Sequence, residues 1–373
     1  MHDTHSLNSM AVRRAVPYVS SDGSRGARRA PAIPVPGRGV TSNRLSTRKV
    51  DVQATNIMSS SHDRRQFLRH AATLPLGMAL GSIPSRGPAM AMGSTSAAPG
   101  AKIKLSVNAW SYNVPLFRYV QGEPEGMSLF DLLEECARLD VDAVDPTGYF
   151  FPGYPEVPET AFVNAFKRRA FQLGLDISGT GIRNDFATTD EARREADVAL
   201  ARRWIEAAAE IGAPVLRVFA GAQPEGHTWE EAAGWLSEAL AACAEHGEKH
   251  GVMVGVQNHG DMLRTADEVL RILDMVNSDW LGVIVDTGYF LTSDPYADIE
   301  RVIPHAVNWQ VKERLSDRRG PEIDLVRLVG LIRASNYRGH VPVETLPMPG
   351  QEDAYDAHSR VPELLDKLRA ALG

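Results

Sequence analysis

Four polar residues that could share one cation each follow a short apolar run in the second half of the sequence. They are Gln257, Asp286, Gln310 and Glu344. Carboxylate and carboxamide oxygens are ligands for hard cations such as Mg²⁺, Mn²⁺ or Ca²⁺. Zinc is a poor match, because the set contains neither His nor Cys. Polar groups that end neighbouring strands of a barrel converge, so these four side chains are candidates for one functional site.

Glu344 and two further residues, Lys312 and His259, could move protons. We expect Glu344 to act as a base, Lys312 to stabilise a negatively charged oxygen and His259 to act as a general acid. This set suits removal of a proton from the carbon next to a carbonyl group. Return of the proton gives isomerisation or epimerisation, and expulsion of a neighbouring group gives elimination.

Four more residues are candidates for holding a substrate. Asn108, Arg217 and Asn258 are polar residues in or directly after apolar runs, and Tyr149 begins an aromatic stretch. An aromatic side chain could form a platform for a sugar ring, although packing within its own loop is the simpler alternative for Tyr149. We expect these four side chains to contact the substrate.

Short β-rich apolar runs alternate with longer amphipathic segments from Lys102 onward. The eight strand candidates span residues 102–108, 141–145, 174–178, 214–219, 252–257, 281–286, 306–312 and 340–344. Such alternation over about 270 residues predicts a single closed (β/α)8 barrel, a TIM barrel, rather than an open sheet. Active sites of these barrels lie at the carboxyl ends of the strands, where most of these polar residues fall, as does Asp145.

Helices are predicted between and after these strands, at residues 128–138, 160–173, 190–211, 229–250, 265–276, 323–334 and 357–371. Ser128, Thr228 and Thr265 stand at three of the helix starts. Glu231 and Glu268 follow the last two by three residues, which is the spacing of a capping box. The helices therefore carry their own start signals.

The charge of the sequence is divided unevenly. Residues 1–100 contain 13 Lys and Arg against 4 Asp, which leaves 27 basic and 43 acidic residues from residue 101 onward. Such an acidic surface repels nucleic acid and anionic lipid headgroups, so a small carbohydrate is a better partner. The two cysteines, Cys136 and Cys243, fall in predicted helices, so we expect buried thiols and no disulfide.

The first hundred residues divide into three predicted segments. Residues 58–92 resemble a twin-arginine export signal, with Arg64-Arg65 before Phe67-Leu68, a mildly apolar stretch and small residues near its end. Residues 1–57 are expected to be disordered or to precede the true start. Residues 93–101 are a linker to a barrel over 102–373. We expect a periplasmic or other extracytoplasmic protein, with no membrane insertion after signal removal.

The strand-end motifs resemble those of the xylose isomerase-like, or sugar phosphate isomerase/epimerase, family. They read Val-Gly-Val-Gln257-Asn-His, Val-Asp286-Thr-Gly, Trp-Gln310-Val-Lys312-Glu313 and Val-Glu344. The resemblance implies a divalent ion such as manganese, magnesium or cobalt, held by Glu, Asp, His and Glu at four strand ends. Gln257 stands where Glu is expected and Gln310 where His is expected. The resemblance thus implies a divalent-metal site formed by Gln257, Asp286, Gln310 and Glu344, with a ligand set less negative than the family pattern.

The resemblance also limits the chemistry. Gln257 cannot accept a proton, which disfavours an epimerisation that uses two carboxylate bases on opposite faces of the sugar. The leading hypothesis is a sugar isomerase or epimerase with Glu344 as its base, assisted by a divalent metal. Two alternatives stay open: an exported lyase acting on 3-keto-glycosides, and a barrel that binds sugars without turnover. A homo-oligomer is compatible with the sequence. Apurinic endonucleases share the barrel, but the acidic surface argues against a nuclease.

Overall fold

The computed structural model describes residues 103–335 and 337–373. The export signal predicted over 58–92, the segment 1–57 and the linker 93–101 lie outside the described residues. Nine strands occur in the described part, and eight of them overlap the eight predicted strands. They are β1 (Lys104–Asn108), β2 (Ala143–Asp145), β3 (Asp176–Ile177), β4 (Thr180–Gly181), β5 (Val215–Phe219), β6 (Met253–Gln257), β7 (Leu281–Asp286), β8 (Ala306–Gln310) and β9 (His340–Val343).

All of these strands pair in parallel, and they form two sheets that close into one barrel. One sheet has the order β3-β2-β1-β9 and the other β4-β5-β6-β7-β8. The sheets meet through an isolated bridge between Val311 and Val343, next to β8 and β9, and through a second bridge between Thr147 and Gly181. The predicted TIM barrel is confirmed. Its parallel pairing brings every carboxyl strand end to the same face.

The third barrel strand is broken in two, unlike the single strand predicted over 174–178. β3 pairs with β2, whereas β4 pairs with β5. Gly179 lies at the break, where an added Cβ atom would come 2.8 Å from the Nδ2 atom of Asn308. Asn308 also donates to the carbonyl oxygen of Ser178 at 3.1 Å. The close approach of Asn308 from the barrel interior therefore leaves room only for glycine here.

Nine α-helices surround the strands in the described residues, and seven of them match the predicted helices. They are α1 (Asn113–Val120), α2 (Leu129–Arg138), α3 (Thr160–Gln172), α4 (Glu191–Ile211), α5 (Trp229–His250), α6 (Ala266–Val276), α7 (Pro295–Val302), α8 (Leu325–Ala334) and α9 (Ala357–Leu372). The capping boxes predicted at Thr228 and Thr265 are present, and Ser128, predicted as a helix start, forms a capping box with Asp131. Helices α1 and α7 were not predicted.

The apolar faces of the helices form a core around the barrel. Trp204 of α4 is fully buried and donates from its ring nitrogen to the carbonyl oxygen of Pro155 at 2.9 Å. Cys136 and Cys243 are free thiols buried in the same core, as predicted. Among residues 103–335 and 337–373, no helix has the length and apolar character needed to cross a bilayer.

Candidate active site

The ends of β6, β7 and β8 bring three of the predicted metal ligands into contact. The Gln257 amide nitrogen donates to Asp286 Oδ2 at 2.7 Å and lies 2.6 Å from Oε1 of Gln310. Strand register explains the contact, because Asp286 pairs with Gln310 across β7 and β8. All three side chains are almost completely buried.

Lys312 and Glu344 complete this cluster, which we call the charged centre (Gln257, Asp286, Gln310, Lys312 and Glu344). The Lys312 ammonium forms an ion pair with Glu344 and lies 3.3 Å from Asp286 Oδ2. Only 3% of Lys312 and 4% of Glu344 is exposed. The structure therefore brings together five residues that were singled out in the sequence, and buries a cation between two carboxylates. Their chemical roles stay predictions.

The seam between β8 and β9 places Lys312 beside Glu344. The Val311 N–H donates to the carbonyl oxygen of Pro342 at 2.8 Å, and the Glu344 N–H donates to that of Val311 at 2.9 Å. These backbone bonds continue the parallel pairing one step beyond the two strands. They fix the spacing of the lysine and the glutamate, which follow Val311 and Val343 directly.

The Gln310 carboxamide fits the charged centre in two orientations. With Oε1 toward Gln257, it accepts hydrogen bonds from Gln257 and, at 3.4 Å, from Lys312. In that orientation the Gln310 oxygen also lies 3.0 Å from Glu344 Oε2 and 3.3 Å from Asp286 Oδ2, which are both acceptors. Turned over, the Gln310 nitrogen donates to these two oxygens, and the Gln257 carboxamide must turn as well, because the two nitrogens would otherwise lie 2.6 Å apart. In either case a carboxamide N–H points at a carboxylate, from Gln257 in the first orientation and from Gln310 in the second.

Burial perturbs the acid in the middle of the charged centre. It raises the pKa of Asp286, because an ionised carboxylate loses its hydration in the barrel interior. The Lys312 ammonium opposes this rise, and the negative charge of Glu344 adds to it. The Gly288 N–H donates to the other carboxylate oxygen of Asp286 at 3.0 Å. Asp286 is thus held from both sides.

Asn258 clamps the backbone of Asp286 with both ends of its carboxamide. Its Oδ1 accepts from the Asp286 N–H at 2.8 Å, and its Nδ2 donates to the Asp286 carbonyl oxygen at 2.9 Å. The side chain is fully buried. This geometry makes Asn258 a positioning residue for Asp286, while the substrate contact expected from the sequence stays a prediction.

His259 lies at the edge of the charged centre and is partly exposed. Its ring stacks on Tyr289 with 4.4 Å between ring centroids and meets the ring of Phe219 at 4.9 Å. Its Nδ1 atom is 3.7 Å from Asp261 Oδ2. The Lys312 ammonium lies 5.7 Å from the centroid of the same Tyr289 ring. One aromatic ring therefore contacts both the predicted acid and the ammonium.

Arg217 and Tyr149 form a separate group with Ile182 and Phe219, which we call the guanidinium cluster. Arg217 donates from Nη1 to the Ile182 carbonyl oxygen at 3.1 Å and from Nη2 to the Tyr149 hydroxyl at 3.0 Å. The Tyr149 hydroxyl also lies 3.0 Å from the same carbonyl oxygen, to which it donates. The guanidinium carbon is 4.2 Å from the Phe219 ring centroid. Both predicted substrate contacts are thus bonded to each other.

Asn108, the fourth predicted substrate contact, forms a hydrogen bond with the backbone. Its Oδ1 accepts from the Trp110 N–H at 2.8 Å and caps the short 3₁₀ turn that follows β1. Contact of Asn108 with a substrate stays a prediction.

Asp145 and Asn308 form a buried polar pair inside the barrel, 3.2 Å apart. Burial raises the pKa of Asp145 to about 7, and the positive charge of Arg217 opposes the rise. Sequence reasoning missed Asn308. The signal was present, because residues 308, 310 and 312 alternate along one run and so point to the same side of a strand.

A cavity of about 140 Å³ opens beside Lys312 and Glu344. Basic, acidic and apolar side chains share its walls, among them Arg318, Arg360, Glu313, Leu346 and Met348. It follows that the charged centre borders a space into which a small polar molecule can enter.

The charged centre, as it is arranged, does not fit a divalent cation. A metal ion needs the oxygen atoms of its ligands turned to a common point. The Lys312 ammonium contacts both carboxylates there, and the Gln257 nitrogen faces Asp286. The Gln257 oxygen is buried with no hydrogen-bond partner among the described residues. Metal binding by Gln257, Asp286, Gln310 and Glu344 stays a prediction, and no step proposed below uses a metal.

A second group of metal-ligand side chains lies on the outer helices. Glu206 of α4 and His246 and His250 of α5 place their ligand atoms within 4.8 Å of one another. His250 ends α5 just before β6 begins, so this group lies at the amino-terminal end of the barrel strands. It is distinct from the charged centre at their carboxyl ends.

Comparison with known proteins identifies the family. The family model described as Xylose isomerase-like TIM barrel matches residues 133–370. This match spans more than half of the sequence, so the chain belongs to that family. A search of curated proteins gives no match.

Solved structures with the same fold include two sugar epimerases and a magnesium-bound protein. The 3-keto-D-glucoside 4-epimerase YcjR from E. coli is similar with a TM-score of 0.57 and 16% identity, over 72% of this chain and 100% of that chain. D-psicose 3-epimerase, in the presence of D-fructose, is similar with a TM-score of 0.57 and 14% identity, over 72% and 97%. A family member from Mycobacterium smegmatis in complex with magnesium is similar with a TM-score of 0.52 and 16% identity, over 73% and 98%. At these identities the likeness shows the fold.

Proposed function

We propose that this protein is a carbohydrate epimerase or isomerase that removes a proton from the carbon next to a sugar carbonyl. One observation carries the proposal: a buried carboxylate, Glu344, is paired with a buried ammonium, Lys312, beside a cavity at the carboxyl ends of the barrel strands. A base and a cation in contact are what formation and stabilisation of an enediolate require. Similarity to two sugar epimerases supports the substrate class.

Glu344 is the base in this proposal, and Lys312 holds the developing negative charge. The carbon–hydrogen bond breaks, the proton moves to Glu344, and the electron pair forms the carbon–carbon double bond of an enediolate. The carbonyl oxygen becomes an oxyanion, which accepts a hydrogen bond from the Lys312 ammonium. Such charge stabilisation is strong in a buried site, because little water screens it.

Two further side chains complete the reaction. His259 is partly exposed at the edge of the charged centre, where it can supply a proton to the oxyanion and receive one from water. The Gln257 oxygen has no hydrogen-bond partner among the described residues, and it could accept a hydrogen bond from a sugar hydroxyl that reaches past Lys312 and Glu344, the two members of the charged centre that line the cavity. Glu344 gives an isomer when it returns the proton to the neighbouring carbon, while His259 takes the proton of the hydroxyl that becomes the new carbonyl. An epimer forms when a water molecule supplies the proton from the second face, since Gln257 has no proton to exchange.

The substrate we propose is a keto-sugar or a keto-glycoside, and the place of the reaction is outside the cytoplasm. A ketone acidifies the neighbouring carbon–hydrogen bond, which a single glutamate base needs. The export prediction rests on the twin-arginine pattern in residues 58–92 alone. A keto-glycoside would also permit the elimination reaction, because its enediolate has a leaving group on the next carbon.

Proton exchange in heavy water tests the proposal. The full chain is incubated with D-fructose, D-psicose, D-tagatose and 3-keto-glucosides, and loss of the carbon-bound proton is followed by NMR. We expect exchange with at least one keto-sugar, and an exchange rate roughly 10²–10⁴-fold lower for Glu344→Gln, which keeps the shape but cannot take the proton.

Glu245→Gln is the matched control, since Glu245 is an exposed glutamate that also pairs with a lysine, Lys249, but lies on the outer helix α5. We expect its exchange rate to equal that of the unchanged protein. Exchange together with release of the aglycone would identify the lyase reaction instead of epimerisation. Binding of these sugars without any exchange would overturn the proposal and leave a sugar-binding barrel.

A further inference from the structure

The cation in the charged centre is a side chain of the protein, the ammonium group of Lys312, and not a bound ion. The Lys312 ammonium contacts Glu344 directly, Asp286 at 3.3 Å and Gln310 at 3.4 Å, and the lysine is 3% exposed. A buried pair of carboxylates is costly unless a positive charge compensates it. Lys312 supplies that charge to both carboxylates at once.

The neighbouring loop is shaped to hold the lysine in this position. The Lys312 N–H donates to Thr287 Oγ1 at 2.9 Å. Gly288 lies against the lysine stem, and an added Cβ there would come 2.8 Å from the Lys312 Cγ atom. The Tyr289 ring borders the ammonium from a third side. Three consecutive residues after β7 therefore position the one lysine.

The carboxamides are arranged for a cation that is already present. A divalent ion attracts amide oxygens, whereas here a carboxamide nitrogen points at the Asp286 carboxylate in both orientations of Gln310. A divalent ion placed between Asp286 and Glu344 would also lie within a few ångströms of the Lys312 ammonium. The repulsion between those charges is strong in a buried site. Lys312 and a metal ion cannot share this position.

We propose that the Lys312 ammonium replaces the divalent ion at the centre of this barrel, and that the charged centre is metal-independent. The two glutamines fit this assignment. A single ammonium needs fewer negative partners than a divalent ion, so neutral side chains at positions 257 and 310 keep the charge of the buried cluster low. The inference concerns what holds the centre together and does not require that the proposed reaction be correct.

Metal content and thermal unfolding test the inference without any activity assay. All proteins carry His250→Ala, which removes the outer group of Glu206, His246 and His250 as a source of bound metal. We expect the full chain to contain far less than one divalent ion by elemental mass spectrometry. Its unfolding midpoint should not change with EDTA or with MnCl₂. About one divalent ion per chain, with a midpoint that falls on its removal, would overturn the inference.

A Lys312→Met variant tests the same point from the other side. Because the charged centre has lost its cation, the variant should unfold at a midpoint on the order of 10 °C lower than the unchanged protein in metal-free buffer. Mn²⁺ or Mg²⁺ should raise that midpoint, because the vacated position can then take an ion. The matched control is Lys104→Met, which breaks an exposed ion pair with Asp176 and should shift the midpoint by less than about 2 °C. An unchanged midpoint for Lys312→Met would contradict the inference.

A second variant keeps the test decisive if Lys312→Met does not fold. Lys312→Met combined with Glu344→Gln removes the cation and one anion together, so it should fold and be more stable than Lys312→Met alone. A double variant no more stable than the single variant would contradict the inference, because Glu344 would then not depend on the lysine charge.

Discussion

In two regions of the barrel rim, an asparagine side chain bonds to both backbone groups of one residue, but the two residues have different roles. Asn258 bonds to both the N–H and the carbonyl oxygen of Asp286, and Asn184 bonds in the same way to Phe219, at 2.9 and 2.8 Å. The first clamp holds an acid of the charged centre. The second holds β5 beside the guanidinium cluster, where Arg217 and its neighbours satisfy one another.

The two regions differ in whether their polar groups are already bonded, and this difference indicates where on the rim chemistry can occur. In the guanidinium cluster both terminal nitrogens of Arg217 are bonded to protein atoms, which leaves a stable packed group. In the charged centre an ammonium contacts two carboxylates, and the buried oxygen of Gln257 has no hydrogen-bond partner in the part of the chain that the structure describes. A cavity lies beside Lys312 and Glu344. A substrate can improve the second region, whereas it would have to break bonds in the first.

The greatest change in stability is expected at Asp145. The charges of both Arg217 and Glu344 act on its pKa, so this residue links the two regions. Its folded-state pKa of about 7 exceeds its ordinary value of 3.8, so the folded chain keeps a proton that the unfolded chain releases between these pH values. The free energy of unfolding therefore falls as pH rises toward 7. Asp145→Asn removes this loss and should stabilise the protein by about 3 kcal/mol at pH 8, but little at pH 4. Urea unfolding at both pH values checks this, and a pH-independent difference would contradict it.

The next effect isolates proton transfer from packing. His259→Asn should lower turnover of an active keto-sugar about 100-fold, because a general acid is lost. The unfolding midpoint should stay within about 2 °C, since the ring is partly exposed. Asp261→Asn, which changes only the neighbouring carboxylate, is the control. Equal turnover in His259→Asn and the unchanged protein would remove the histidine from the mechanism.

The two clamps offer a direct comparison of the regions. Asn258→Ala and Asn184→Ala each remove two hydrogen bonds to backbone and should each lower the free energy of unfolding by about 2 kcal/mol. Only Asn258→Ala should also change the ratio of kcat to KM, because only its partner belongs to the charged centre. Equal losses of activity in both variants would show that the regions do not differ in function.

The smallest expected effect is in the guanidinium cluster. Tyr149→Phe removes a hydroxyl that bonds to both Arg217 and Ile182, and should cost about 1 kcal/mol of unfolding free energy. Turnover and KM should not change if the cluster only packs. A KM increase without loss of stability would instead support the predicted contact between Tyr149 and the sugar.

Much of the fold was predictable, because it depends on short-range patterns. Strand alternation and capping residues located eight strands and seven helices. Helices α1 and α7 escaped prediction since each has only eight residues, which is too short for a helical repeat of apolar residues to stand out. The break at Gly179 depends on Asn308, which is distant in sequence and approaches only in the folded barrel.

The candidate site was predictable in membership but not in detail. Strand ends identified Gln257, Asp286, Gln310 and Glu344, because parallel strands must deliver them to one face. The position of the Lys312 ammonium depends on the conformation of a long side chain, and the direction of the Gln257 amide depends on its neighbours. Likewise, Asn108 and Asn258 bond to backbone atoms whose positions no sequence pattern gives.

The seam between β8 and β9 has a consequence for observing this protein without any substrate. The amide hydrogens of Val311 and Glu344 close the seam, and the same pairing sets the distance between the lysine and the glutamate. Their exchange with solvent deuterium would therefore report how often the base and the cation separate. The exchange rates of two backbone amides thus measure the stability of the proposed catalytic geometry in the resting protein.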